Sequence, residues 1–149
     1  MSVYRRVLLV LDLLEGSVTV GQRARDLAAA VGAEVELLHV VEFVPVEPMG
    51  ETIMPAVQIE NELLDRAGAR LRAMATELGM PGVPCHVEAG NVKSEIVRVA
   101  RERRADLIVL GSRERHGLSI LVNLTEDTVL HAAPCDVLAI RVGQAARVG

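Results

Sequence analysis

The sequence predicts an α/β fold, a doubly wound five-stranded parallel sheet with helices on both faces. Two observations predict it: five short apolar runs recur along the chain, and stretches with helical periodicity separate them. Such βαβ units form parallel strands joined by right-handed crossovers. The predicted strands are Val7–Leu11, Val35–Val41, Val83–Gly90, Leu107–Leu110 and Val137–Val142.

The runs differ in a way that separates edge strands from central ones. In the third run, VPCHVEAG, apolar and polar residues alternate, which is typical of a half-covered strand, and Pro84 suits only an edge. The fourth run, Leu107–Leu110, is apolar throughout, as expected for a central strand buried on both faces.

Four helices are predicted from apolar residues at helical spacing and from the residues that end each stretch. They are Val20–Val31, Pro55–Leu78, Val92–Ala100 and Leu124–Ala132. Gly32 closes the first, and Gly79 with Pro81 ends the second. The segment before the second helix, FVPVEPMGETIMP, is too irregular for a helix or a strand.

Length and composition indicate one soluble globular domain over residues 1–149. Half of the residues are apolar and 24% are charged, and no apolar run approaches the roughly 18 residues that a membrane span requires. The net charge of −4 argues against a nucleic-acid partner, which would need a basic face. Neither Cys85 nor Cys135 lies in a CxxC pair, which predicts a reduced, cytoplasmic protein.

The predicted sheet places a candidate ligand site between two loops. In open α/β sheets, ligands bind beyond the carboxyl ends of strands where the strand order reverses. The loops Asp12–Ser17 and Gly111–Gly117 follow the first and fourth strands, and both contain glycine and polar residues. A purely structural alternative stays open, in which Gly111 ends a strand, Gly117 relieves a turn and Asp12 caps a helix.

No motif indicates catalysis. The chain has no paired nucleophile and base, no Walker A lysine and no cluster with metal-ligand spacing. Asp12 and Glu15 would form an acid pair, but carboxylates near a helix start are more typical of caps. We therefore expect no enzymatic activity and no metal, with slow hydrolysis of a bound nucleotide left open.

The sequence resembles the universal stress protein family over nearly its whole length. Five segments carry the resemblance: VLLVLD, LLHVVE, GNVKSEIVRVARERRADLIVLGS, RHGLSILV and VLHAAPCDVLAIRV. The resemblance implies a Rossmann-like sheet of strand order 3-2-1-4-5, with the third and fifth strands at its edges. It also implies that ATP or AMP can occupy the crevice, with phosphates against the glycines of the turn after the fourth strand.

By this resemblance, nine residues would line a nucleotide site. They are Asp12, Val40, Gly111, Ser112, Arg113, Arg115, Gly117, Asn123 and Thr125. The chain departs from the family pattern where Glu114 replaces a glycine, where Asn123-Leu124 replaces a Gly-Ser pair, and where Leu14 replaces a small polar residue.

These departures predict a degraded phosphate site. A carboxylate about 6 Å from a phosphate charge, at an effective dielectric of about 20, costs about 2–3 kcal/mol. Leu124 also removes the hydroxyl donor of the Gly-Ser pair. In the first turn of the last predicted helix, Glu126 and Asp127 would themselves compensate the positive helix dipole that a phosphate would otherwise bind. We therefore expect weak or absent nucleotide binding and no required cofactor.

The last strand predicts a homodimer. Val137–Val142 contains only one charged residue, Arg141, whereas an edge strand that faces water normally carries charges, proline or a bulge. Its edge is most simply covered by the same strand of a second subunit across a two-fold axis, and the family resemblance implies the same dimer.

Three functions remain as hypotheses at this point. The first is a non-enzymatic stress-response dimer with a degraded nucleotide site that acts through an unidentified protein partner. The second is an ATP- or AMP-binding signalling module in which Arg113 and Arg115 replace the lost contacts. The third is a flavodoxin-like electron carrier, although the chain lacks the aromatic residues that would sandwich a flavin.

Overall fold

The computed structural model describes residues 3–42, 53–113 and 129–143. The strands are β1 Arg6–Val10, β2 Glu34–Val41, β3 Cys85–Ala89, β4 Leu107–Arg113 and β5 Asp136–Val142. The helices are α1 Ser17–Val31, α2 Ile53–Glu77 and α3 Val92–Glu102, and residues 129–132 are also helical. Within these ranges, no helix is long and apolar enough to cross a membrane.

All five predicted strands and the first three predicted helices are confirmed, with shifts at their ends. The largest shift in a strand is at β4, which continues beyond the predicted end at Leu110 to Arg113. Helix α1 begins at Ser17 instead of Val20. Of the last predicted helix, Leu124–Ala132, only residues 129–132 belong to the described part of the chain.

The five strands form one parallel sheet in the order β3-β2-β1-β4-β5, which confirms the predicted fold class and strand order. The central strand β1 pairs with β2 through Val7↔Val35 and with β4 through Val7↔Leu107. After β1 the chain forms β2 and then β3 on one side of β1, and it then crosses to the other side of β1 to form β4 and β5. The strand order therefore reverses between β1 and β4.

Alternate side chains of the sheet enter two separate cores. Leu9 points into a core that α1 and α2 cover, whereas Leu8 points into a core that α3 and Val129 cover. Both leucines are at most 1% exposed. The near-continuous apolar runs predicted for central parallel strands follow from this two-sided burial.

Strand β3 is the half-covered edge strand that its alternating sequence predicts. Each of its residues is partly exposed. The carbonyl of Pro84 accepts a hydrogen bond of 2.9 Å from the backbone N–H of Leu37 on β2. Proline is tolerated here because it lies just before the first residue of β3, where it supplies a carbonyl to the neighbouring strand.

Candidate functional site

The candidate crevice lies at the carboxyl edge of the sheet, between the loops that follow β1 and β4. Val10 pairs with Leu38 on β2, and Leu9 pairs with Val109 on β4. Extending both registers by the spacing of the strands places Asp12 level with Val40 on β2 and with Ser112 on β4. The structure thus brings Asp12, Val40, Gly111 and Ser112 to the same edge of the sheet.

The carboxylate of Asp12 organises the loop that follows β1. Its Oδ1 accepts hydrogen bonds from the backbone N–H of Leu14 and from the hydroxyl of Ser17, each 2.9 Å long. Ser17 is buried and begins α1, and Gly16 precedes it as the N-cap with a φ of +94°. Asp12 therefore holds the side chain of the first helical residue instead of acting as the N-cap itself.

The same loop contains a residue in the left-handed backbone region. Leu13 has a φ of +60° and is only 6% exposed, whereas the next residue, Leu14, is 52% exposed. A left-handed conformation is unfavourable for leucine because its Cβ crowds the backbone. Arg70, on α2, donates a hydrogen bond of 2.7 Å from Nη2 to the carbonyl oxygen of Leu13. The loop is thus held from its own side by Asp12 and from α2 by Arg70.

Hydrogen bonds join the chain to β2 just beyond the last paired residue of β1. The backbone N–H of Leu11 donates to the carbonyl of Leu38 at 2.9 Å, and the Leu11 carbonyl lies 2.7 Å from Nδ1 of His39. Since a carbonyl only accepts, Nδ1 must carry the hydrogen. His39 therefore has a structural role, because its ring joins β2 to the end of β1.

Gly111 allows close packing between β4, α1 and β5. A Cβ added there would lie 3.1 Å from Cγ2 of Val20 on α1 and 3.2 Å from Cγ2 of Val142 on β5. The alternative that Gly111 simply ends the fourth strand is wrong, because β4 continues to Arg113. Ser112 is partly buried beside it.

Val40 faces the core, not the crevice. Its side chain is 8% exposed and belongs to the core that α3 covers, together with Ile96. Only the backbone of Val40 is available at the carboxyl edge of the sheet. The remaining predicted site residues lie outside the described residues, and they are Arg115, Gly117, Asn123 and Thr125. For Arg113 the structure describes the backbone alone.

The described residues offer neither a reactive thiol nor a metal centre. Burial raises the pKa of both Cys85 and Cys135, so the thiolate form is disfavoured in each. Residues 3–42, 53–113 and 129–143 contain no group of three or more His, Cys, Asp or Glu side chains that could hold a metal ion.

Two residues of the crevice had no signal in the sequence. Arg70 follows no motif on the predicted second helix, and its contact with Leu13 depends on how α2 crosses the loop after β1. The sequence does not predict the left-handed backbone of Leu13 either, because a positive φ is indicated mainly by glycine and asparagine.

The strand order defines a doubly wound α/β protein, and the candidate crevice lies at the reversal point of its sheet. The chain belongs to the universal stress protein family, whose family model matches residues 3–141.

Relatives and solved structures agree with this assignment. The chain is 33% identical to universal stress protein A homolog 2 of Coxiella burnetii over 95% of this chain and 98% of the relative. A universal stress protein family structure from Burkholderia pseudomallei is 28% identical, with a TM-score of 0.66 over 92% of this chain and 96% of that one. A universal stress protein solved in complex with cAMP shares the fold at 20% identity, with a TM-score of 0.63 over 94% and 98% of the two chains.

Proposed function

We propose that this chain is a non-enzymatic, single-domain universal stress protein that acts in the cytoplasm as a homodimer through a protein partner, and that its nucleotide site is degraded. The observation that carries the proposal is the loop after β1. There the Asp12 carboxylate binds the loop's own Leu14 amide and Ser17 hydroxyl, and Leu14 presents an apolar side chain that is 52% exposed.

The sequence beyond β4 supports the same conclusion. Arg113 ends β4, and the next residue in the chain is Glu114. A carboxylate about 6 Å from a bound phosphate opposes it by a Coulomb term of about 2–3 kcal/mol at an effective dielectric of about 20. A micromolar site has only about 8 kcal/mol in total, so this term lowers the affinity by a factor on the order of tens.

The absence of catalysis is supported by the chemistry of the described side chains. Both thiols have raised pKa values, and the carboxylate of Asp12 holds its own loop together.

The homodimer is supported by the exposure of the edge strand β5. Leu138 is 39% exposed and Ala139 is exposed beside it, on a strand at the end of the sheet. Such an edge invites pairing with another chain. Cytoplasmic action is supported by the free thiols of Cys85 and Cys135.

Calorimetric titration with ATP tests the degraded site. We expect the wild-type protein to show no saturable binding at tens of micromolar nucleotide. Glu114→Gln, which removes the charge and keeps the side-chain size, should raise the affinity by a factor of tens, and Glu114→Gly should raise it at least as much. Saturable wild-type binding in this range, or ATP that co-purifies with the protein, would contradict the proposal.

A second candidate function is a nucleotide-responsive signalling module that binds ATP or AMP. The related universal stress protein that was solved with cAMP favours it. In that case Arg113 and Arg115 would replace the lost phosphate contacts, as charge-assisted donors can. The double variant Arg113→Gln/Arg115→Gln should then abolish a binding isotherm that the wild-type protein displays. The family assignment replaces the hypothesis of a flavodoxin-like electron carrier.

A further inference from the structure

Val142, the last residue of β5, lies between Gly16 in the loop after β1 and Gly111 in β4. A Cβ added at Gly16 would overlap Cγ1 of Val142, and one added at Gly111 would lie 3.2 Å from its Cγ2. One methyl group of Val142 therefore rests against the loop after β1, and the other rests against β4. An added Cβ would overlap Val142 at Gly16 and would crowd it at Gly111, so the valine packs closely against both backbone segments.

Gly16 links this contact to the polar part of the crevice. Its φ of +94° is a conformation that only glycine adopts readily. The next residue, Ser17, donates from its hydroxyl to Asp12, and its backbone N–H donates to the carbonyl of Leu14 at 3.1 Å. A displacement of Gly16 must therefore move the groups that hold the Asp12 carboxylate.

The strand that carries Val142, β5, lies at the outer edge of the sheet. Strand β5 pairs with β4 from Leu107↔Asp136 to Arg113↔Val142, and its opposite edge faces no strand of residues 3–42, 53–113 or 129–143. Leu138 and Ala139 are exposed on β5. The strand whose edge is open to a second subunit thus ends inside the crevice.

We propose that Val142 couples subunit association at the edge of β5 to the order of the loop Asp12–Ser17. This inference rests on the homodimer of the proposed function. Pairing with a second subunit fixes the backbone of β5, and a valine has few side-chain rotamers with which to absorb a shift. Close packing then passes the constraint to both glycines. Dissociation loosens the loop, so the oligomeric state regulates the crevice.

Amide hydrogen exchange of the full-length protein tests the coupling. Ala139→Asp supplies a monomer for comparison with the wild-type dimer, and light scattering establishes both states. We expect the amides of Leu14 and Ser17 to exchange at least about tenfold faster in the monomer. The amide of Glu95 in α3, which donates to the carbonyl of the N-cap residue Asn91, should exchange at the same rate in both and serves as the internal control.

Three further variants separate the valine from the rest of the strand. Val142→Ala removes both methyl contacts and should give monomer-like exchange at Leu14 and Ser17 while the protein is still dimeric. Val142→Thr keeps the β-branch and should preserve the slow exchange of the dimer. Val137→Ala makes the same truncation on the opposite face of β5, in the core with Val129, and should leave both amides unchanged.

The outcomes distinguish this inference from the dimer on which it rests. If Ala139→Asp yields a monomer with unchanged exchange at Leu14 and Ser17, the coupling is wrong and the dimer stands. Unchanged exchange in a folded Val142→Ala dimer also overturns the coupling. A wild-type protein that is monomeric by light scattering overturns both proposals before any variant is made. If Val142→Ala does not fold, the comparison of wild type with Ala139→Asp decides alone.

Discussion

The carboxylate of Glu36 on β2 accepts a hydrogen bond of 2.8 Å from Nε2 of His86 on the neighbouring strand β3. The same oxygen accepts a second hydrogen bond of 2.8 Å from Nε of Arg103, at the end of α3. The Glu36 side chain is only 13% exposed. Partial burial raises the pKa of Glu36, but the hydrogen bonds from His86 and Arg103 outweigh burial and hold the pKa below its ordinary value of 4.5.

This arrangement predicts an acid-sensitive contribution to stability. A carboxylate whose folded-state pKa is lowered stabilises the fold above its unfolded-state pKa, and the contribution is lost as the pH falls through the folded-state pKa. We expect Glu36→Gln to lower the free energy of unfolding near neutral pH and to flatten the loss of stability below pH 4.5. Urea unfolding between about pH 7 and pH 3 measures both effects.

A matched control lies on the same strand. Glu34 is exposed on β2, and Glu34→Gln should change the free energy of unfolding by less than about 0.5 kcal/mol at every pH. Equal pH profiles for wild type and Glu36→Gln would show that the contacts with His86 and Arg103 contribute nothing to folding.

The hydrogen bond from Arg70 to the Leu13 carbonyl predicts a second stability effect. Its donor is a charged guanidinium, and its acceptor is the carbonyl of a buried residue in the left-handed region. Arg70→Met keeps most of the aliphatic stem and removes the donor. We expect a loss of about 1.5–3 kcal/mol, typical of a hydrogen bond to a charged group, in urea unfolding.

Arg66 provides the control for this variant. It lies one turn earlier on the same helix and is exposed. Arg66→Met should cost less than about 0.5 kcal/mol. Similar losses in the two variants would mean that Arg70 contributes through helix surface charge and not through its contact with Leu13.

The apolar pattern of the sequence specifies the sheet far better than it specifies the crevice. Parallel strands buried on both faces need long apolar runs, so the runs containing Leu9 and Ile108 predict their positions directly. The crevice depends instead on contacts between residues distant in the chain. Arg70 reaches Leu13 and Val142 reaches Gly16 only because of how the elements cross, and neither pairing leaves a local pattern.

The glycines of the chain illustrate the same limit. Gly111 is predicted as part of a phosphate-type turn, yet it lies within β4 and accommodates Val20 and Val142. A glycine is visible in the sequence, but the atom that would clash with its Cβ is not. The same residue is therefore compatible with a ligand approaching the backbone and with tight packing between elements.

A charge on the outer edge of β5 should dissociate the dimer. Ala139 is exposed on this strand, whereas Ile140 is 6% exposed within the core that α1 covers. A charge at Ile140 would therefore disturb folding, and Ala139→Asp is the cleaner test. We expect multi-angle light scattering to give half the wild-type mass for Ala139→Asp, because each interface then holds two unpaired carboxylates.

The control for this substitution is the same change on a helix surface. Ala29 is exposed on α1, and Ala29→Asp should leave the mass of the wild-type protein unchanged. A dimer that persists in Ala139→Asp would place the subunit interface elsewhere than on β5.

Substitution by alanine should lower the stability of the protein at one helical glycine and raise it at another. Gly21 on α1 faces Leu78, and an added Cβ would overlap the Cδ1 of that leucine, which is 1% exposed. Gly68 on α2 faces only the end of the Arg72 side chain, with 3.2 Å between an added Cβ and Nη1. The first neighbour is fixed by the core, whereas the second is the mobile end of a long side chain.

Gly21→Ala should therefore destabilise the protein by about 1–3 kcal/mol, the usual range for overpacking a well-packed core. Gly68→Ala should stabilise it by about 0.5–1 kcal/mol, because alanine has the higher helix propensity and Arg72 can move aside. Thermal and urea unfolding of both variants measure whether the free energy of unfolding falls or rises in each. If Gly21→Ala also proved stabilising, α1 and α2 would have to separate more easily than the contact between Gly21 and Leu78 implies.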